Sequence, residues 1–384
     1  MRSINRSAIL EIVRQESPIA RTQIARRLNM SLPTVMRIID ELIAEGLVRF
    51  SGNAERTGGR RRRLLEFNGN AYAVVGVDLG GTKMFGTVAD LSGKIQHEIY
   101  CPHGHTPEES LEKLYDLIEQ LLAAPRPERQ QIRGIGVGAS GVTLSPEGVV
   151  IWSPSLKWKN LALKKLLNER FEPPVFVEND VNLAALGEWG FGAGQGVQDL
   201  VCFYVGRGIG SGIIVGDALY RGHNQAAGEV GYLLPGIEFF GRQYDDFGAL
   251  EYLASGTGIL ERARQLAKQA GAGTDQEITI ESVFASAQQG EPWAQQLVQE
   301  TAKYLGLAIV AVSAILNPEV IILKGAFPQL TQVLLAAIRD HIKGVVPFVP
   351  RLVASSLGHR ATVMGAIMLV LNETAEYFVV KRLP

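Results

Sequence analysis

The sequence predicts a mixed fold, in which a small winged helix-turn-helix unit precedes a larger, two-lobed α/β unit. Short helical patterns separated by turns occupy the N-terminal end, and strands alternate with helices in the rest of the chain. Two strand-turn-strand segments rich in glycine recur in that second part. We expect domains at residues 1–70 and 71–384. The second domain divides into lobes at 71–184 and 185–384, with a C-terminal helix, residues 362–371, that belongs to the second lobe or returns to the first.

The composition is that of a folded, soluble protein. Hydrophobic residues make up 46% of the 384 positions and charged residues 20%. The sequence contains no run of eighteen apolar residues, and charges interrupt the apolar stretch at the N-terminus, so we expect no membrane span and no signal peptide. Cys101 and Cys202 stand apart from each other, which excludes a paired-cysteine zinc or redox motif. A cytoplasmic protein is expected.

Charge is distributed unevenly along the chain. Residues 1–70 hold 13 Arg or Lys and 7 Asp or Glu, a net charge of +6, whereas the remaining 25 basic and 32 acidic residues give −7. A basic N-terminal unit is the natural partner of a polyanion. The charge pattern therefore favours nucleic-acid binding by the first domain.

The first domain shows the element order of a winged helix. Apolar positions with helical spacing fall in residues 4–14 and 20–28, and Ser31 is a suitable N-cap for a third helix with Pro33 in its first turn. Two short strands, 46–50 and 64–67, flank a polar loop and would form the wing. The residues predicted to contact DNA lie at the start of the third helix and in the wing: Ser31, Pro33, Thr34, Arg37, Arg60, Arg61, Arg62 and Arg63. A solvated basic loop and a protein-binding module are the alternatives.

The second domain opens with a glycine-rich hairpin. Apolar runs at 74–77 and 84–89 flank Asp78, which could hold a metal ion or orient a hydroxyl group. Four neighbours could contact an anionic or polyhydroxy ligand through backbone N–H groups, a hydroxyl or a charge: Gly80, Gly81, Thr82 and Lys83. A second hairpin with strands at 200–205 and 212–215 repeats the pattern with Gly208 and Gly210. An ordinary β-hairpin is the alternative.

Polar residues follow another predicted strand, at 174–177. Asn179 and Asp180 stand where the strand meets a helix, so they could bind several sugar hydroxyls, and Asp180 could accept a proton from one of them. Capping of the helix is the alternative role for Asp180. Glu229 and Glu251 add two carboxylates that would bind sugar hydroxyls or lie in surface ion pairs. Further along, the pattern predicts a helix at 302–316 and, within residues 317–326, another strand that ends in a turn.

The chain resembles the repressor, open reading frame, kinase family, known as ROK, in its regulator form. The resemblance covers nearly the whole length. In chain order it comprises NMSLPTV, TGGRRR, DLGGTK, ENDVN, GRGIGSG, GEVGY, GALEYLASG and NPEVIILKGA. It implies an actin-like, ribonuclease H-like fold in two lobes, assembled as a homodimer or homotetramer. It also implies a regulator that binds operator DNA and responds to a sugar or sugar phosphate.

The resemblance assigns roles to individual positions. Sugar contacts fall on Asn179, Asp180, Glu229 and Glu251, with Tyr232 where the family has a histidine, and Asp180 is the base in the family's kinases. The family's zinc site uses that histidine and three cysteines of the following loop, but this chain has no cysteine after Cys202. No metal or other cofactor is therefore expected.

Two departures affect nucleotide binding. Arg207 interrupts the family's GTGIG pattern, and residues 324–326 read Lys-Gly-Ala in place of three glycines. Side chains at these positions would crowd an adenosine phosphate. The sequence thus leaves two hypotheses: a sugar-responsive regulator, most simply a repressor, and a Mg-ATP-dependent sugar kinase that uses Asp180 as base and carries an added DNA-binding domain.

Overall fold

The computed structural model describes residues 2–51, 63–81, 83–127, 130–244, 248–271, 278–325 and 328–374. Four of the predicted contact residues, Arg60, Arg61, Arg62 and Thr82, lie outside the described residues. The described part comprises a small N-terminal head and a large body. The body is built on two five-stranded sheets.

The head has the predicted winged helix-turn-helix elements. Its helices and strands are, in chain order, α1 (Arg2–Glu16), α2 (Arg21–Arg27), α3 (Leu32–Ala44), β1 (Val48–Phe50) and β2 (Leu65–Phe67). The Ser31 hydroxyl accepts a hydrogen bond from the Thr34 N–H at 3.4 Å, so Ser31 is the N-cap of α3 as predicted. Ile38 and Leu42 on the inner face of α3 are fully buried against Ile9 of α1. Burial of this apolar stripe stabilises the head.

The first sheet has strand order β10-β6-β3-β4-β5. This part of the body contains β3 (Tyr72–Leu79), β4 (Lys83–Asp90), β5 (Ile95–Pro102), α4 (Pro107–Ala123), β6 (Gln131–Ala139), β7 (Val142–Leu144), β8 (Val149–Ser153), β9 (Trp158–Leu161), α5 (Leu163–Arg170) and β10 (Val175–Asn179). Strands β3, β6 and β10 run parallel, whereas β4 and β5 are antiparallel additions to one edge. Helix α6 (Asp180–Phe191) follows β10 without a loop.

The second sheet repeats this arrangement, with strand order β13-β12-β11-β14-β15. Its part of the chain contains β11 (Leu200–Val205), β12 (Ile209–Val215), β13 (Ala218–Leu219), α7 (Ala249–Ala254), α8 (Gly256–Gln269), α9 (Ile280–Gln288), α10 (Pro292–Leu316), β14 (Val320–Gly325), α11 (Pro328–Ile342) and β15 (Arg351–Ala354). In each sheet an antiparallel hairpin lies beside a parallel strand. The predicted repetition of the glycine hairpin is confirmed.

The last helix, α12 (Ala361–Thr374), packs on β3 and β6 of the first sheet and on α6. The two helices approach closely because glycines lie at their contact. A Cβ added to Gly365 would come within 1.8 Å of the Leu183 carbonyl oxygen, and one added to Gly187 within 2.0 Å of the Ala361 carbonyl oxygen. The proposed boundary between residues 184 and 185 falls inside α6, and this helix contacts both sheets.

Helix α10 begins at Pro292, ten residues before the predicted start. Proline is tolerated in the first turn of a helix, where its missing N–H has no intrahelical partner. Among the described residues, α10 alone is long and apolar enough to cross a membrane, but half of its most apolar window is buried inside the fold. Its burial is that of a core helix of the second lobe.

Candidate functional site

The predicted acidic residues meet at one edge of the first sheet. Asp78 lies near the end of β3, and Asn179 ends β10. Both strands are parallel to β6, where Gly138 is the register partner of Asp78 on one side and of Glu178 on the other. Carboxyl ends of parallel strands share an edge, so Asp180, the first residue of α6, stands beside Asp78. The structure therefore brings together two carboxylates that lie 102 positions apart in the sequence.

A lysine from the second sheet reaches the same place. Lys324 of β14 is 7% exposed, and its Nζ donates a hydrogen bond to Thr362 Oγ1 at 3.3 Å. The Thr362 hydroxyl is shared between the Asp78 carboxylate and the backbone carbonyl of Asp180, 3.3 Å away. Lys324 Nζ also lies 4.8 Å from the centre of the Tyr204 ring. One threonine thus connects a buried cation with both acidic positions.

Burial controls the charge of these acids. It raises the pKa of Asp180 to about 7, with the neighbouring Asp78 charge adding to the effect and Lys324 opposing it. Burial also raises the pKa of Asp78, although Lys324, the Thr362 hydrogen bond and Lys83 act in the opposite direction. Near neutral pH Asp180 therefore changes easily between its protonated and ionised forms. A carboxyl group in this condition can exchange a proton or a hydrogen bond with a ligand hydroxyl.

A second acidic pair lies on the second lobe, close enough for the Glu229 charge to act on Asp180. The region between the two acidic pairs is called the cleft below. Burial raises the pKa of Glu251 to about 7, with the nearby Glu229 charge as the next cause, and burial raises the pKa of Glu229 as well. Backbone N–H groups of Gly248 and Ile209 hydrogen-bond to the Glu251 carboxylate. The side chain of Tyr232, by contrast, is 58% exposed. The structure groups the two glutamates and leaves Tyr232 at the surface.

Asn179 has taken the capping role that the sequence left open for Asp180. Its Oδ1 accepts hydrogen bonds from the N–H groups of Val181 and Asn182, both at 2.9 Å, and its Nδ2 donates to the Gly141 carbonyl at 2.9 Å. The Asp180 carboxylate accepts a hydrogen bond from the Val181 N–H at 3.0 Å. Asn179 is therefore held rigidly at the cleft edge and orients the start of α6.

The glycine hairpins of the two lobes face each other. Arg207, at the tip of the β11–β12 hairpin, donates from Nη1 to the Gly81 carbonyl at 3.0 Å. A Cβ on Gly208 would lie 2.2 Å from Glu251 Oε1, so the requirement for glycine there comes from the approach of this carboxylate. A Cβ on Gly210 would lie 3.4 Å from Val181 Cγ2 of α6, which is ordinary van der Waals contact. The second hairpin is thus shaped by its contacts within the chain.

The other nucleotide-contact candidates lie around the first hairpin. Gly80 and Gly81 follow β3 directly, and Lys83 Nζ lies 5.2 Å from the centre of the Tyr100 ring on β5. Arg207 bridges the two hairpins through its hydrogen bond to Gly81, whereas Lys324 lies against Thr362 and the Tyr204 ring. Among the described residues, no cluster of three or more histidine, cysteine or acidic side chains is arranged to hold a metal ion.

Sequence reasoning missed several residues of the cleft. Hydroxyl groups of Ser140 and Ser155 lie 2.7 Å apart, and the Ser155 Cβ would be 3.2 Å from a Cβ on Gly81. Glu178 is 1% exposed and forms an ion pair with Arg221 at 2.7 Å. The acidic residue was visible in the sequence, but nothing local indicated its partner 43 positions away.

The head presents the outer face of α3 to solvent. Ser31, Pro33 and Arg37 are exposed and Thr34 is half-buried, as a recognition helix requires. Arg37 pairs with Glu41 at 3.0 Å, and the Arg63 guanidinium lies 5.1 Å from the centre of the Phe50 ring on the wing. The sequence reading overlooked Met36, 40% exposed on the same face. An apolar side chain there could contact a thymine methyl group.

Comparison with known proteins agrees with this architecture. The model of the ROK family matches residues 74–373, and that of a winged helix-turn-helix DNA-binding domain matches residues 2–49. The chain belongs to the ROK family. A xylose repressor from Caldicellulosiruptor bescii is 30% identical over 392 aligned residues, covering 98% of each chain.

Solved structures extend the ROK assignment to both parts of the chain. A ROK family transcriptional regulator, a homolog of the E. coli MLC protein, superposes with a TM-score of 0.84 at 26% identity and covers 98% of this chain and 97% of that chain. A ROK family glucokinase from Streptomyces griseus, in complex with glucose and AMPPNP, has a TM-score of 0.67 at 29% identity. That match covers 77% of this chain and 98% of the glucokinase. The fold is thus a winged helix-turn-helix head on a two-lobed ROK body.

Asp180→Asn is expected to flatten the pH dependence of stability of the unliganded protein. The folded-state pKa of about 7 lies above the ordinary value of 3.8, so the folded protein holds a proton that the unfolded chain has lost. Stability therefore falls as pH rises from about 4 to 7, and the loss persists above pH 7. At pH 8 the variant should gain on the order of 1 kcal/mol, because partial exposure of the carboxylate screens much of the effect. Urea unfolding at pH 6 and pH 8 measures this, and equal pH slopes for both proteins would contradict it.

Proposed function

We propose that this ROK protein is a transcriptional repressor that binds operator DNA through its head and is regulated by a sugar or sugar derivative bound in the cleft between its lobes. The observation that carries the proposal is the presence, in one chain, of an exposed recognition helix and a cleft lined by acidic side chains. The full-length similarity to a xylose repressor supports both DNA binding by the head and regulation by a sugar. Activation in place of repression would use the same two sites.

Sugar binding is assigned to Asp180, Glu229 and Glu251, with Asn179 and Tyr232 completing the proposed set. Carboxylates accept hydrogen bonds from several hydroxyl groups at once, and partial burial strengthens such hydrogen bonds by lowering the local dielectric constant. Ligand contacts from both lobes would favour one closure angle. If that angle alters the separation of two heads on a palindromic operator, operator affinity changes by the differential affinity of the sugar for the two states.

Binding to a palindromic operator requires a homodimer or homotetramer. Apolar side chains exposed on the second lobe support self-association: Leu307 and Ile315 of α10 are 50% and 78% exposed, and Phe348 is 75% exposed. A DNA-binding regulator of this kind works in the cytoplasm.

Two measurements test the proposed function together. Thermal-shift screening with D-xylose, D-glucose, N-acetylglucosamine and sugar phosphates should identify one that raises the melting temperature. Fluorescence anisotropy with DNA from upstream of the gene should then show binding that this sugar weakens. A protein that ignores DNA at low ionic strength, or whose DNA affinity no sugar changes, would refute the proposal.

The retained Asp180 supports one alternative, a sugar kinase with an added DNA-binding head. Arg207 and Lys324 oppose it, because they stand where the family's kinases have the small residues of their nucleotide-binding motifs. A coupled ADP-release assay over the same sugar panel separates the two functions. Turnover that disappears in Asp180→Asn would establish kinase activity.

Replacing Arg61 and Arg62 with alanine should weaken binding to every DNA sequence and reduce its dependence on salt. Each lost phosphate contact lowers the slope of log K against log salt by about 0.9, so the double variant should lose up to about 1.8. Anisotropy titrations between 50 and roughly 200 mM salt measure the slope. Sugar binding should be unchanged, and a slope equal to that of the natural sequence would disprove contacts by these two arginines.

A further inference from the structure

Helix α6 extends from the ligand cleft to the DNA-binding head. Asp180 is its first residue, and Phe191 is its last. Twelve residues of α-helix span about 18 Å. The residues proposed to bind sugar and those that contact the head thus lie at opposite ends of one rigid element.

The contact with the head is made by Arg14, in the last turn of α1. Its Nη1 donates to the Gly190 carbonyl at 3.2 Å, and the guanidinium carbon lies 5.4 Å from the centre of the Phe191 ring. Glu11 orients the guanidinium, accepting hydrogen bonds from Nε and Nη2 at 3.0 Å each. The Arg14 side chain is only 13% exposed. This partly buried contact of four residues joins the head to the end of α6.

The body holds α6 tightly along its length. Residues 181–190 are all buried. A Cβ on Gly212 of β12 would lie 2.6 Å from the Val181 carbonyl oxygen, and the glycines at the α6–α12 contact leave equally little space. Close-packed elements of this kind transmit displacement because they have no free volume in which to absorb it.

Helix α6 is also tied to the far side of the second sheet. Glu188 is fully buried, and its carboxylate accepts hydrogen bonds from the Leu357 N–H at 3.1 Å and the Ser356 hydroxyl at 3.2 Å, in the segment after β15. Helix α6 therefore contacts the head and both sheets. Other head contacts, such as the Tyr72 hydroxyl donating to the Glu45 carbonyl at 3.0 Å, involve the start of β3 in the first sheet.

We propose that α6 transmits ligand binding at Asp180 to the DNA-binding head, and that Arg14 is the head residue that receives the displacement. The inference rests on the proposed function, because it assigns the regulation of the same cleft. Relative movement of the lobes shifts α6, and the Arg14 contact converts that shift into a reorientation of α1 and the recognition helix.

Arg14→Ala should leave operator binding and sugar binding largely intact and abolish the communication between them. The test measures operator affinity by anisotropy with and without D-xylose, or the sugar of the panel that gives the largest thermal shift. Binding of one ligand typically changes the affinity for the other by roughly 5- to 150-fold in coupled proteins. We expect the ratio to fall below about twofold in Arg14→Ala, whereas titration calorimetry gives an unchanged sugar affinity.

Arg170→Ala is a matched control. Arg170 also pairs with a glutamate, Glu119 at 2.7 Å, and stacks on an aromatic ring, Tyr115 at 4.5 Å, but it lies on α5 away from α6. This variant should respond to sugar as the natural sequence does. Phe191→Leu, which leaves the head sequence intact, should reduce coupling in the same way as Arg14→Ala, and the double variant should lose no more.

The outcomes separate the inference from the proposed function. If the natural sequence responds to sugar and Arg14→Ala and Phe191→Leu respond equally well, the inference is overturned and the proposed function stands. If Arg14→Ala fails to bind DNA because the head is disturbed, the sugar response of Phe191→Leu tests the inference instead. A normal response in Phe191→Leu would then overturn it. If the natural sequence binds neither operator nor any sugar, both are wrong.

Discussion

Gly365→Ala is expected to lower the free energy of unfolding by about 3 kcal/mol. Gly365 lies inside α12, where alanine would ordinarily stabilise a helix by up to about 1 kcal/mol. Here the new Cβ would lie 1.8 Å from the Leu183 carbonyl oxygen and 2.5 Å from its carbon. Both atoms belong to the backbone of α6, so the two helices must separate. Urea unfolding monitored by circular dichroism measures the loss.

Gly306→Ala provides the control for this prediction. Gly306 also lies inside a helix, α10, but the nearest atom to its added Cβ is the Ile342 Cγ2 at 3.6 Å, an ordinary van der Waals distance. This variant should be as stable as the natural sequence or slightly more stable. Equal behaviour of the two variants would show that α6 and α12 do not depend on close backbone approach.

The sequence was sufficient to predict elements whose signals are local. The start of α3 combines a capping serine with Pro33 in the first turn, and both features act within four residues. The β3–β4 hairpin was recognisable because glycines separate two β-branched runs. Helix α10 was predicted too short, because Gln295 and Gln296 interrupt the apolar pattern, and burial of Leu297 depends on neighbouring helices.

The cleft could be predicted only in part. Asp180 stood out because a strand and a helix meet there, and the local pattern is enough to place it at a sheet edge. Its relation to Lys324 and Thr362 depends on contacts across 144 and 182 positions of the chain. The contact between Arg207 and Gly81 likewise joins hairpins 126 positions apart. Local sequence patterns carry no information on such pairs, so folding of the two lobes against each other determines them.

Asp180→Ala and Glu229→Ala are each expected to abolish the sugar response while operator binding persists. A hydrogen bond to an ionised acceptor contributes about 1.5–3 kcal/mol, so losing one should weaken sugar binding by roughly 10- to 100-fold. Each residue lies in the body, far in the sequence from the predicted DNA contacts of α3 and the wing, so operator affinity without sugar should stay within about twofold. Titration calorimetry and anisotropy measure the two affinities.

Glu169→Ala is the matched loss of a carboxylate outside the cleft. Glu169 is 62% exposed on α5 and pairs with Lys165 at 3.9 Å, a contact of little energetic weight. This variant should bind sugar and release DNA as the natural sequence does. If Asp180→Ala and Glu229→Ala also retain a normal response, the sugar binds elsewhere, and α6 no longer begins at the ligand. A response lost only in the two cleft variants places the effector where the carboxylates of both lobes meet.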